Sequence, residues 1–277
     1  MTQQPIHWFP GHMMKALRLV ERELPNVDMV IELLDARAPA ASKNGELARM
    51  AAGKPRLLLL NKSDLADPNA TARWLAYYRG AGYGAMAVTA SDRKSALGAM
   101  EAAVRLARER MRLERAKPRA MIIGAPNVGK STLINTLSGR AAARTADKPG
   151  VTRGKQWVTL DEIELLDMPG ILPRKLEERQ ATLLAFTGAI RDDILDVLDL
   201  AAGLLGALRA GHVGAIARRY KLAGALPADN FDLLAQIARA RGMLLAGGEL
   251  DLTRAAIMLL DELRGGKLGR VTFELPE

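Results

Sequence analysis

The chain has no cysteine. Neither a disulfide framework nor a thiolate metal site is therefore available, which fits a reducing cytosol. Histidine is almost as scarce, with three among 277 residues. No apolar run approaches the roughly 18 residues that a membrane-spanning helix needs, and the start has no apolar signal segment. The length suffices to bury a sizeable core and to form two domains. Positive charge, by contrast, is plentiful: 40 Lys and Arg stand against 31 Asp and Glu, a net of +9. Residues 1–173 carry 26 basic and 17 acidic side chains, while residues 174–277 carry 14 of each. The whole excess lies in the first part, and such a balance suggests a polyanionic partner.

The stretch Gly124-Ala125-Pro126-Asn127-Val128-Gly129-Lys130-Ser131 reads G-x-x-x-x-G-K-S, the phosphate loop of nucleotide triphosphatases. Its flanks agree. Arg119 to Ile123 is a short apolar run suited to a buried strand, and Thr132 to Leu137 reads as helix. A loop between strand and helix aims several backbone N–H groups at one anion, reinforced by the positive end of the helix dipole. Glycine is required because a Cβ would block the chain's approach to phosphate. Asn127, Val128, Gly129, Lys130, Ser131 and Thr132 are the expected phosphate-side residues. Lys130 would reach the β and γ phosphates, and the Ser131 hydroxyl would hold Mg²⁺.

Before this loop, Val27–Leu34, Arg56–Leu60 and Ala85–Val88 read as strands, alternating with helices over Met13–Leu24, Gly45–Ala52, Asn69–Gly80 and Ser95–Arg115. After it, Lys155–Leu160 and Glu162–Leu166 look like a hairpin turning at Asp161. Beyond about residue 176 only helices follow: Leu176–Ile190, Ile194–Leu208, Val213–Tyr220, Phe231–Arg241 and Leu252–Leu263. The alternation implies a mostly parallel sheet with ligands at the strands' carboxyl ends. The expected fold is an α/β domain over residues 1–175, with residues 1–25 as an extension, followed by an all-helical domain over 176–277.

Asn61-Lys62-Ser63-Asp64 follows a strand of four leucines and has the form N-K-x-D. A carboxylate at the last position can accept from N1–H and the exocyclic amine of guanine. Adenine would leave that charge unpaired, so Asp64 discriminates strongly. The Lys62 stem can cover the ring face, while the Asn61 amide addresses the other edge or ties this loop to the phosphate loop. Asp167-Met168-Pro169-Gly170 gives D-x-x-G after an apolar strand. Asp167 would hold Mg²⁺ through water and the Gly170 amide would sense the γ-phosphate. Thr152 is the natural second hydroxyl ligand for Mg²⁺. Thr89-Ala90-Ser91, at a strand end, could offer the base's O6 a backbone N–H.

Ordinary small GTPases run phosphate loop, switch, D-x-x-G, then N-K-x-D; here N-K-x-D comes first. This resembles the circularly permuted GTPases, with the cycle cut just after D-x-x-G. Within them the chain is similar to the ribosome biogenesis GTPase A family. The resemblance rests on Trp8-Phe9-Pro10-Gly11-His12-Met13, Leu34-Asp35-Ala36-Arg37, NKSD, GAPNVGKST, PGVT, DMPG and Gly266-Lys267-Leu268-Gly269-Arg270. It spans the chain and implies a GTP-hydrolysing assembly factor for the large ribosomal subunit. Such a factor docks on precursor particles (ribosomal RNA and ribosomal proteins) with GTP and leaves after hydrolysis. It would be bacterial and cytoplasmic, without a membrane span, and monomeric when free. A transit peptide is not expected, because motif residues begin by residue 7.

A Ras-like protein orients the attacking water with a glutamine after D-x-x-G; this chain has Ile171. The resemblance points to His12 as the catalytic group, the alternative being that residues 8–12 form a packing hook or an RNA contact. Asn127 matches the phosphate-loop asparagine of potassium-stimulated GTPases, making K⁺ a candidate helper beside GTP or GDP and Mg²⁺. Basic runs over Arg105–Arg119, over Arg140–Lys155 and around Arg209, His212, Arg218, Arg219 and Lys221 are the candidate RNA contacts. A nucleotide-gated RNA-binding protein with negligible hydrolysis and a GTP-dependent RNA-modifying enzyme are the competing readings. The absence of further Cys, His or carboxylate clusters disfavours the second.

Overall fold

Every residue of the first strand, β1 (Met29–Asp35), is buried. A strand covered on both faces belongs inside a parallel sheet with helices above and below. The computed structural model describes residues 11–111, 116–139, 155–192 and 195–277, the His12 side chain excepted. Among these, β1, β2 (Arg56–Asn61), β3 (Gly84–Ala87), β4 (Arg119–Gly124), β5 (Gln156–Thr159) and β6 (Glu164–Asp167) form one sheet. Its spatial order is β3-β2-β1-β4-β6-β5. Only β5, at the edge, runs antiparallel to its neighbour.

Alternation along the strands sends side chains to two faces. Met29, Ile31, Leu33, Leu57, Leu59, Ala120 and Ile122 pack against α5 (Arg93–Arg110) and α6 (Lys130–Ser138). On the opposite face Val30, Met121, Ile123 and Leu166 meet Ala16, Leu17 and Val20 of α1 (Gly11–Glu23). Leu34, Leu58 and Leu60 meet Trp74 and Tyr78 of α4 (Pro68–Gly80). Two short helices, α2 (Pro39–Ser42) and α3 (Gly45–Met50), lie between β1 and β2. The second part contains α7 (Glu178–Phe186), α8 (Val197–Arg209), α9 (Val213–Tyr220), α10 (Asn230–Ala240) and α11 (Leu252–Arg264). Its apolar rows, including Leu204, Leu205, Leu233, Ile237, Leu259 and Leu260, are buried and continuous with the core under the sheet. Among the described residues no single helix is long and apolar enough to cross a membrane.

Two helices end four or five residues before their sequences suggest. The helix expected over Ser95–Arg115 ends at Arg110, where Met111 turns extended; residues 112–115 lie outside the described residues. The helix expected over Leu176–Ile190 ends at Phe186. Gly188 stands at φ +80°, its N–H donating to the Ala185 carbonyl, and the Ala189 N–H reaches back to Leu184. That is a Schellman closure, which glycine in the left-handed region permits.

After α11 the chain returns to the segments that flank the sheet strands. Val271 N–H donates to the Leu65 carbonyl and Phe273 N–H to that of Arg37. The Trp74 indole donates to the Glu274 carbonyl at 2.9 Å. Gly266 lies so close to Leu65 that a Cβ would sit 2.6 Å from its side chain. The Gly266–Arg270 motif is thus seated directly behind the N-K-x-D loop.

Candidate functional site

The sheet registers align the ends of the strands. Asp35 stands opposite Asn61, Leu33 opposite Gly124 and Ile122 opposite Asp167. The Leu-Asp-Ala-Arg, N-K-x-D, phosphate-loop and D-x-x-G motifs therefore emerge from one edge, where a parallel α/β sheet presents ligands.

Gly129, at φ +105°, caps α6. The Lys130 side chain is buried, and its ammonium donates to the Gly124 carbonyl at 3.1 Å and the Ala125 carbonyl at 2.8 Å. Burial lowers its pKa to about 8, with Asp167 opposing the drop. Asp167 is 1% exposed, and among the described residues neither carboxylate oxygen has a well-formed hydrogen bond, the Met168 N–H beside it giving only a weak pull. Burial raises its pKa to about 6 against the pull of Lys130. A buried cation resting on carbonyls and a buried, poorly bonded carboxylate are expensive side by side. Both are matched by a phosphate–Mg²⁺ pair, which supplies an anion to the first and a hydrated cation to the second.

Asn61 joins the two halves of the site. Its Nδ2 donates to the Val128 carbonyl of the phosphate loop at 2.7 Å, while its Oδ1 accepts from the Ala90 N–H at 2.9 Å. One buried amide thus holds the N-K-x-D loop, the phosphate loop and the Thr89–Ser91 loop together. Lys62 adopts the left-handed conformation, φ +59°, and pairs with Asp35 at 3.0 Å. The Ser63 hydroxyl lies 3.3 Å from that of Thr89, and the Thr89 hydroxyl donates to Asp64 at 3.2 Å. The Thr89 N–H donates to Ser95 Oγ. The Ala90 N–H is given to Asn61, so two of the three amides expected to face a ligand here, those of Thr89 and Ala90, are engaged within the protein.

The D-x-x-G segment lies directly on the phosphate loop. A Cβ on Gly170 would sit 2.6 Å from Pro126 Cα, and the Ile171 N–H donates to the Gly124 carbonyl. Ile171 itself is buried among Val30, Met121 and Leu166, so no side chain there orients water. Asn127, at φ +54°, donates from Nδ2 to the Gly188 carbonyl at 2.9 Å. Ser131 and Thr132 lie in the first turn of α6. His12 falls in the first turn of α1; its side chain, and Thr152 entirely, lie outside the described residues.

The candidate RNA contacts divide. Arg209 donates to Asn230 and the Pro227 carbonyl, and Arg219 forms a two-pronged pair with Glu262 at 2.8 and 2.5 Å. These two are structural, because each is held by oxygens of neighbouring helices or loops. Arg105, Arg110, Arg218 and Lys221 are exposed. Arg112, Arg115, Arg140, Arg144, Lys148 and Arg153 lie outside the described residues.

The family described as 50S ribosome-binding GTPase matches residues 119–219, which include the phosphate loop and D-x-x-G. The chain is 43% identical to the ribosome biogenesis GTPase A of Bacillus cereus, over 98% of this chain and 94% of that protein. The same-named protein of Thermotoga maritima is 32% identical over 98% and 94%. The chain belongs to the ribosome biogenesis GTPase A family. It is accordingly a GTPase, built on a circularly permuted G domain. Among solved structures it is similar to GNP-bound YlqF from T. maritima, with 28% identity and a TM-score of 0.67 over 95% of this chain and 99% of that one. A GDP-bound structure of TM YlqF matches at the same identity and TM-score, over 93% and 98%.

Sequence reasoning missed three parts of this site: the Asp35–Lys62 pair, the Asn127–Gly188 bond and the return of residues 271–274 to the segments that flank the sheet strands. The only signal for the first was an Asp-x-Arg immediately after a buried strand.

Proposed function

We propose that this GTPase assists assembly of the large ribosomal subunit, docking on precursor particles with GTP bound and leaving after hydrolysis. The observation that supports the reading is the Asn61 bridge, which ties the N-K-x-D loop to the phosphate loop. The family description, 50S ribosome-binding GTPase, supports the choice of subunit. The exposed Arg105, Arg110, Arg218 and Lys221 suit a phosphate-driven, salt-sensitive RNA contact.

In this reading Asp64 accepts from the guanine edge, Lys62 covers the ring, and Ser91 addresses O6. The phosphate-loop amides from Asn127 to Thr132 cradle the phosphates while Lys130 leaves its two carbonyls for a β- or γ-oxygen. Ser131, Thr152 and, through water, Asp167 would hold Mg²⁺, which when bound would supply positive charge to the phosphates. The Gly170 amide reads the γ-phosphate. Asn127 uses its amide nitrogen on Gly188, so its amide oxygen is the atom that would meet K⁺. With Ile171 buried, His12 is the residue assigned to orient the attacking water. Residues 1–175 act as the nucleotide domain and 176–277 as the RNA- and ribosome-binding domain; the free protein is monomeric and cytoplasmic.

Turnover with and without purified large subunits, in potassium, tests the proposal. Strong stimulation by the particle supports it, as does co-sedimentation under GTP analogue and release under GDP. Co-sedimentation indifferent to nucleotide would refute it. Unstimulated, negligible turnover with nucleotide-dependent sedimentation would favour a nucleotide-gated RNA-binding protein instead.

A further inference from the structure

The Leu34-Asp35-Ala36-Arg37 motif has no part in the mechanism above, yet it forms the most heavily committed polar cluster near the base loop. Asp35 and Arg37 are 3% and 1% exposed. The Arg37 guanidinium grips the Asp35 carboxylate through Nε at 2.9 Å and Nη2 at 2.7 Å, and the Arg37 N–H adds a third bond at 3.0 Å. The same carboxylate holds the Lys62 ammonium at 3.0 Å. Lys62 occupies a backbone conformation that side chains rarely adopt, so an anchor at the end of its stem fixes where the stem lies.

The cluster also reaches out of the nucleotide domain. Arg37 Nη2 donates to the Thr187 carbonyl at 3.3 Å, and the next carbonyl, Gly188, accepts from Asn127 of the phosphate loop. Arg264 of α11 clamps this turn from behind, donating to the carbonyls of Ala185 and Phe186 and pairing with Asp192. Among the described residues Arg37 Nη1 has no hydrogen-bond partner, a cost that an arginine serving packing alone would avoid.

We propose that Asp35 and Arg37 are positioning residues for the nucleotide. They hold Lys62 in place and tie the base loop to the turn that ends α7, which also holds Asn127. The helical part thereby senses both ends of the nucleotide through two adjacent carbonyls. This rests on the assignment of Asn61–Asp64 as the base loop.

The test uses the full chain and two variants. Arg37→Lys keeps a positive charge beside Asp35 but, as a point donor, cannot serve both Asp35 and Thr187. Gly188→Ala contributes no side chain to the nucleotide site. It strains a residue at φ +80° and sets a Cβ 3.3 Å from Arg264 Nε, displacing the two carbonyls. Titrations with fluorescent mant-GDP and mant-ADP, urea unfolding, and hydrogen exchange of the peptide spanning residues 184–190 are measured for each. The wild type prefers mant-GDP, and its 184–190 amides exchange more slowly with GDP bound. Both variants bind mant-GDP about tenfold more weakly, the scale of one charge-assisted hydrogen bond, and lose the nucleotide-dependent slowing. A merely structural role would lower urea stability and leave both readouts per folded molecule unchanged. Guanine preference in the wild type with mant-GDP affinity in both variants within about twofold would overturn this inference alone. A wild type indifferent to the base would overturn the base-loop assignment and this inference with it. Should Arg37→Lys not fold, Gly188→Ala decides.

Discussion

Removing the Asn61 amide should separate the two halves of the nucleotide site. Asn61 is 2% exposed and makes two short bonds, to the Val128 carbonyl at 2.7 Å and from the Ala90 N–H at 2.9 Å. In Asn61→Ala both backbone groups lose their partner in a place water reaches poorly. Each such loss costs about 1–3 kcal/mol, so the variant should unfold about 2–6 kcal/mol more easily. That is a large share of a total stability of about 5–15 kcal/mol. Part of the loss should appear as weaker binding, because nucleotide must then hold the two loops together unaided. If about 2 kcal/mol appears there, the Kd for GDP rises about thirtyfold. Asn61→Asp keeps the acceptor for Ala90 but points a carboxylate at the Val128 carbonyl, and should be at least as damaging. Urea unfolding and mant-GDP titration measure the two effects. An alanine variant within about 0.5 kcal/mol in stability and twofold in affinity would refute the bridging role.

Gly129→Ala should abolish tight nucleotide binding, since its Cβ would lie 2.2 Å from Asn61 Nδ2 at a backbone φ of +105°; near-wild-type mant-GDP affinity would contradict the packing. Asp64→Asn should relax base choice, read as the ratio of GTP to ATP competition, and an unchanged GTP preference would remove Asp64 from base recognition. Burial alone would raise the Asp35 pKa, but Arg37 and Lys62 outweigh it and hold the carboxyl far below the usual carboxylate range. A depressed folded pKa contributes stability that is complete above the unfolded value of about 3.9 and is lost as pH falls below it. Urea unfolding of the wild type should therefore weaken steeply on the acid side; Asp35→Asn should be less stable at neutral pH yet show a shallower acid limb, and parallel limbs would exclude Asp35 as the source.

What could be read from the sequence is what neighbouring residues encode. Gly124–Ser131 is a contiguous recipe for a phosphate loop, and the helix over Val213–Tyr220 has the predicted bounds because its apolar spacing is local. The α7 terminus was hidden inside the apolar run Leu183–Ile190, where Gly188 looked like one more tolerated helix residue rather than a stop. Arg209 and Arg219 carry the same local signal as solvated arginines; only the fold reveals Asn230 and Glu262 as their partners. Arg37 meets Thr187 across 150 residues and Trp74 meets Glu274 across 200. No periodicity or spacing at either end names the other.

The permutation turns this wiring into a question of mechanics. Because the sequence is cut after D-x-x-G, the segment proposed to read the γ-phosphate leads directly into α7. Gly170 sits on Pro126, and Ile171 is bonded to Gly124, so a shift of this strap pulls on the helix that follows. The turn closing that helix is held to the phosphate loop by one neutral hydrogen bond, from Asn127 to Gly188. Such a bond is worth about 1 kcal/mol net, and a nucleotide can bias an orientation only by its differential affinity for the two states. Losing this bond alone would shift a two-state population about fivefold. The absence of native cysteine allows clean labelling at one introduced site on exposed Lys94 and another on exposed Arg254. Distance distributions between the labels should differ between the GDP and GTP-analogue forms, and Asn127→Ala should broaden the GDP-form distribution. Superimposable distributions in both nucleotide states would mean that the strap moves without its helix, and the covalent route from D-x-x-G to the helical part would carry no signal.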